Sequence, residues 1–223
     1  MLIVEALALI ALDAKSGEVH SKLAQVHDQR VLAAGLLMEL AVQTRLGLRR
    51  KVVVVLDTLP SRHPLLTACL RIIRDTAGQL SAGEAIALTA AQLPHLRTDL
   101  LDGLVRRDIL HEPHRSFGLF GSRRYPVRSQ QAQGEGLATL RRAASGEGTT
   151  LQDLALLSLG CATGAIVQLL LDEEAKAASA RMQLLREEIH AELAESEEQI
   201  DEYYSIALLE ALEVAVNHLL KAR

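Results

Sequence analysis

LRTDLLDGLVRRDILHEPHRSFGLFGSRRYPVR, residues 96–128, is the stretch whose reading decides the architecture. Leu96, Leu100, Leu101, Leu104, Val105 and Ile109 recur at helical spacing, so one face packs inward while Arg97, Asp99, Arg106 and Arg107 face water. That helix ends at Asp108 or just after it. Pro113, Gly118, Gly121 and Pro126 then exclude a long helix over 109–127 and predict two short extended arms joined by a turn near Phe117 to Ser122. The chain holds two Phe, three Tyr and no Trp. Both phenylalanines fall within four positions on that turn, a poor use of aromatic bulk if its purpose were to fill a core.

Arg115, Arg123, Arg124 and Arg128 surround the tip, and no acidic residue lies between Arg115 and Arg128. Phe117, Leu119 and Phe120 therefore read as an apolar wedge with a basic collar, a pattern suited to insertion into an anionic membrane surface. Apolar burial contributes ~25 cal/mol per Å², and each arginine near the headgroups adds about 1 kcal/mol. Together these hold a protein on lipid reversibly. The competing reading folds Phe117 and Phe120 back onto their own helix and leaves the arginines as solubilising charge.

Working outward, the remaining chain is aliphatic and helical. Asp28 caps a helix from Gln29 to about Arg45 that is apolar nearly all round, which makes it the buried centre of the fold. Glu39 lies on it, and a buried carboxylate needs a partner such as Arg45 or a backbone amide. Leu46 to Leu56 contains a β-branched run, Val52 to Val55, and predicts a small two-stranded piece. A short helix follows over Leu65 to Asp75, and Ser81 with Glu84 forms a capping box opening a helix over Ala82 to Gln92. Pro94 fits the first turn of the next helix. Ser129 caps a helix to about Ala144, and Thr150 caps a long aliphatic helix from Leu151 to Leu171. From Asp172 to Glu202 there are eleven acidic residues against three basic ones, which reads as a solvated helical face. A last helix covers Ile200 to Leu220. The expectation is a mainly α protein: one domain over residues 1–223, built around a buried central helix, with a small two-stranded piece and a projecting β-hairpin.

Composition narrows the function. With 49% hydrophobic residues the chain can bury a sizeable core. A net charge of -4 offers no overall basic field for nucleic acid. Cys69 and Cys161 lie far apart in aliphatic segments and read as buried thiols in a reducing compartment. Met1 to Leu12 is apolar but lacks a basic flank and a cleavage site, so it reads as a core element. Val31 to Val42 and Leu151 to Leu171 are too interrupted by polar residues to span a membrane. His111 and His114 form the one close histidine pair, with Pro113 between them and no further ligand nearby. No nucleophile elbow, phosphate loop or dinucleotide fingerprint occurs. The reading is of a protein that is not an enzyme and needs no cofactor or metal.

The order of several blocks resembles the Golgi phosphoprotein 3 family, in a bacterial-type member. These are LALIALDAKSG (residues 7–17), GLLMELAVQTRLGL (35–48), DTLPSRHPLLTACL (57–70), LLDGLVRRDIL (100–110) and LFGSRRYPV (119–127). The resemblance implies a mostly helical domain with a projecting hairpin, acting as a peripheral membrane protein on an anionic lipid surface. It places the protein in the cytoplasm, on the inner face of a membrane. Eukaryotic relatives recognise phosphatidylinositol 4-phosphate beside the hairpin and gather protein partners there. The family's headgroup residues carry over poorly. Its tryptophan falls near Leu23 or Ala24, its helix arginine at Ala33, and its arginine pair at Pro94 and Arg97, so Arg97 alone is retained. A phosphate needs several converging donors, and Arg115, Arg123 and Arg124 are the candidates to rebuild such a site with Arg97. Protein partners or a homo-oligomer are compatible with this reading. An alternative from another class is a winged-helix DNA-binding protein, with the basic hairpin as the wing on phosphates. Against it stand the apolar tip and the scarcity of polar residues on Ala82 to Gln92.

Overall fold

The structure, a computed structural model, describes residues 1–76, 78–115, 123–146, 150–194 and 200–222. Its organising element is α2 (Gln29–Val42). The Asp28 carboxylate accepts the Arg30 amide at 2.9 Å and so satisfies one of the free donors at the helix start. Every residue from Val31 to Ala41 is buried. Around it pack α1 (Ile3–Ile10), α3 (Pro64–Arg74), α4 (Ala82–Gln92), α5 (Leu96–Arg106), α7 (Leu151–Ala162) and α10 (Ile200–Lys221). The chain is therefore mainly α, as its aliphatic periodicity predicts. The apolar opening segment is a core helix: all of Ile3–Ile10 is buried. A Cβ at Gly35 would stand 2.6 Å from the Val4 Cβ, so the absence of a side chain there lets α1 and α2 approach closely.

Buried carboxylates tie these elements together. Glu39 accepts the Ile3 amide at 3.0 Å and the Gln43 side-chain amide at 3.3 Å. Its partner is thus a backbone amide, while Arg45 pairs with Asp57 at 3.4 Å. Glu5 is wholly buried and meets Arg107 at 2.5 Å, His63 at 3.3 Å and the Leu2 amide at 2.9 Å. Burial pushes its carboxyl up, but these donors outweigh that and bring it down to about 2. Arg107 is exposed, as expected, and its guanidinium also reaches in to Glu5 and helps anchor α1.

The two-stranded piece is antiparallel, β1 (Leu46–Arg49) against β2 (Val52–Val55), with Leu46 opposite Val55 and Arg49 opposite Val52. Arg50 and Lys51 make its turn with φ of 51° and 67°, the left-handed pair that closes a tight hairpin. A second ladder joins β3 (His114–Arg115) to β4 (Arg123–Arg124), with Leu110 bridged to Val127 below it. Phe117, Leu119 and Phe120, expected at the tip of this hairpin, lie outside the described residues. Its base is fixed by a satellite core in which Tyr125, Leu110 and Val127 pack with Leu9, Leu12, Leu101 and Leu104.

Three boundaries differ from expectation. Pro94 lies in the turn before α5, whose N-cap is His95, and α5 stops at Arg106 because Asp108 turns left-handed with φ of 57°. The helix expected over Leu151 to Leu171 is two, α7 and α8 (Ala165–Leu169), divided at Gly164 with φ of 69°. The Thr163 hydroxyl donates back to the carbonyls of Leu159 and Gly160, at 2.8 and 3.2 Å, and closes α7 there. Cys161 is only half-buried, since the break brings it near the surface, whereas Cys69 is fully buried. The remaining helices are α6 (Gln130–Ser145) and α9 (Asp172–Ala194). Among the described residues no helix is long and apolar enough to cross a membrane.

Candidate functional site

Four separate segments enclose an open cavity of about 380 Å³ beside the base of the second hairpin. Gly17, Glu18 and Val19 form one wall, Ala24 and His27 another, and Arg97, Arg123 and Arg124 supply the positive charge. Three of the four arginines singled out from the sequence therefore meet on one cavity. Arg115 stands opposite Arg123 in the ladder register.

Local structure explains each placement. Residues 21–27 form a short 3-10 segment that sequence periodicity does not reveal. It ends at His27, immediately before the Asp28 cap, so the start of α2 fixes the imidazole. The Gln29 side-chain amide donates to the Ala90 carbonyl at 3.3 Å and also to that of Leu93. This lashes the α4–α5 turn to the start of α2 and sets Arg97, one residue into α5, beside His27.

His27 is buried, with Nε2 3.0 Å from the Ala8 carbonyl and Nδ1 3.3 Å from the Arg97 Nε. A carbonyl only accepts and a guanidinium only donates, so the proton sits on Nε2 and Nδ1 takes the Arg97 hydrogen bond. Burial, and then the Arg97 charge, push the imidazole down to about 4, against a smaller upward pull from Ala8. His27 is thus neutral near pH 7 and positions Arg97 without adding charge.

The other two arginines come from β4 and depend on a neighbouring loop. The Asp13 carboxylate accepts the Ser16 amide at 2.7 Å and the Lys15 amide at 3.2 Å, and Gly17 takes φ of 67°. The loop so made lies against β4: the Tyr125 amide donates to the Gly17 carbonyl at 3.1 Å, and the Val127 amide to that of Ala14 at 3.0 Å. Tyr125 is buried and its hydroxyl donates to Asp102 at 3.0 Å, with Arg123 3.9 Å from the other Asp102 oxygen. Arg124 pairs through Nη2 with Glu18, while its Nε is buried without a hydrogen-bond partner. Glu18, Asp102 and His27 were not foreseen. A single carboxylate, on a loop like Glu18 or within a helix like Asp102, carries no sequence signal, whereas the histidine next to a helix cap is a hint that its neighbours only explain in three dimensions.

At the foot of the second hairpin of a helical domain, three arginines from α5 and β4 thus line one cavity. Comparison with curated proteins finds no match. Comparison with family profiles finds that of Golgi phosphoprotein 3 (GPP34), matched over residues 3–216. The chain belongs to that family. Of the positions at which the resemblance places the family's headgroup residues, Ala24 lines the cavity and Leu23 is buried. Ala33 is wholly inside the core, and Pro94 is exposed in its turn.

Proposed function

We propose that this protein is a peripheral membrane protein that docks on anionic bilayers, holding a phosphate-bearing headgroup in the pocket of Arg97, Arg123 and Arg124. The observation that carries the reading is the convergence of these side chains, from α5 and β4, on one open cavity. Guanidinium groups in a fixed fork are the usual bidentate partners of phosphate. Family membership supports the same reading. The apolar residues Phe117, Leu119 and Phe120 would add burial in the hydrocarbon to the charge attraction, since neither alone anchors a protein firmly. Arg115 would join the basic surface. The place of action is the cytoplasmic face of a membrane. The role is that of a binding protein rather than an enzyme, able to gather partner proteins or further copies of itself.

The lipid is anionic without being restricted to phosphatidylinositol 4-phosphate. The family's tryptophan and two of its arginines are replaced by Leu23 or Ala24, Ala33 and Pro94, and the charge now comes largely from Arg123 and Arg124. Liposome flotation tests this. Comparable retention on vesicles containing phosphatidylglycerol or the phosphoinositide supports the proposal; strict dependence on the phosphoinositide defeats the relaxed specificity, and no retention on either defeats the docking. Replacing both Phe117 and Phe120 by Ser should abolish retention. The winged-helix alternative draws less support, because α4 presents Glu84, Ala87, Ala91 and Gln92 to solvent and contains no basic residue with which to face DNA. A salt-dependent gel shift with duplex DNA separates the two.

A further inference from the structure

Resting on the reading of the pocket as an anion site, we infer that Glu18 is a displaceable counter-ion. It pairs with Arg124 and yields it to phosphate, so its carboxylate sets the affinity of the site. Arg97 is not held in this way, and Arg123 is held only at the limit of an ion pair. Arg97 has no carboxylate partner among the described residues and spends only its Nε on His27. Arg123 stands 3.9 Å from Asp102, which already accepts from Tyr125. Arg124 is paired directly by Glu18, the one acidic residue lining the cavity among the described residues.

The two partners are unequal in freedom. Arg124 is set in β4 opposite His114 and has a buried Nε. Glu18 ends the loop stapled by Asp13, and its side chain is 53% exposed, so it is the group that can leave. Glu18 engages only Nη2, and Nε, on the same edge of the guanidinium, has no acceptor. A buried donor without an acceptor is unfavourable. A phosphate carries oxygens spaced to meet both N–H groups of that edge, which a carboxylate reaching from the neighbouring loop does not do here. The exchange trades a single-point contact for a two-point one, against the cost of releasing Glu18 into water.

The test uses the full chain and measures binding of inorganic phosphate by thermal shift, then retention on phosphatidylcholine vesicles containing phosphatidylglycerol. Glu18→Gln should bind phosphate about two- to fivefold more tightly, the range an exposed ion pair commands. Glu187→Gln makes the same change in net charge on α9, which lines no part of the pocket, and should bind as the parent does. In an Arg124→Gln background the gain from Glu18→Gln should vanish, because the pair is coupled. Equal or weaker binding by Glu18→Gln overturns the inference. So does a gain that survives loss of Arg124, or an absence of phosphate binding in parent and variant alike. A phosphate response as expected, with no retention on vesicles, upholds the role of Glu18 and overturns the membrane reading instead.

Discussion

The Gly17 carbonyl accepts the Tyr125 amide at 3.1 Å, and a Cβ at Gly17 would fall 2.3 Å from the Tyr125 carbonyl carbon and the Pro126 nitrogen. Two stretches more than a hundred residues apart thus meet backbone to backbone. Gly17 also has φ of 67°, which other residues rarely adopt. Gly17→Ala should therefore lower stability by about 2–4 kcal/mol, combining overpacking against immobile backbone with left-handed strain. Urea denaturation measures the loss. Phosphate binding should fall with it, because the same loop carries Glu18 and braces β4.

His27 predicts an acid-sensitive slope. It titrates near 6.5 in the unfolded chain and at about 4 in the folded protein. As pH falls the unfolded chain takes up the proton first. The contribution of neutral His27 is therefore complete above about 6.5 and is lost progressively toward 4. His27→Gln keeps a donor toward Ala8 and an acceptor toward Arg97, and should flatten stability against pH in that window. Glu5 acts lower down, its contribution being lost as pH falls from 4.5 to about 2. Denaturant midpoints measured across both windows separate the two groups, and a His27→Gln profile that parallels the parent would refute the assignment.

Glu39 should matter through the Ile3 amide rather than through its charge. Glu39→Leu leaves that buried N–H without an acceptor and should cost about 1–3 kcal/mol. Glu39→Gln retains a carbonyl oxygen for it and should cost less. Equal losses in the two variants, read from chemical denaturation, would show that the hydrogen bond is not what docks α1.

Thiol chemistry offers a direct check on the core. Cys69 is fully buried against Thr89, and burial pushes its thiol up to about 12. In native protein it should resist alkylation until the chain unfolds. Cys161, half-buried where α7 ends, should react first. Mass spectrometry of peptides after brief iodoacetamide treatment distinguishes the two sites.

The helical core was legible because its signals are local. The Asp28 cap, the Ser81–Glu84 box and the apolar run Val31 to Ala41 each report their structure within one or two turns. The split between α7 and α8 was hidden, since Thr163 and Gly164 also fit a continuous aliphatic helix and only the back-bonding hydroxyl and the left-handed glycine break it. Of the pocket, Arg97, Arg123 and Arg124 could be named from their charge around an unusual hairpin. Arg115 belongs to the same basic cluster in sequence. His27, Glu18 and Asp102 escaped because what matters about them is a partner distant in sequence, and a 3-10 segment has no periodic pattern to reveal it.

That the cavity is assembled from a loop, a 3-10 end, a helix start and a strand, all outside the central helix, has an evolutionary consequence. Its chemistry can be rewritten by substitutions at a few rim positions, such as Glu18, Ala24 and Arg124, while the aliphatic interior that sets the shape is left alone. Divergence at that rim then needs no change of scaffold.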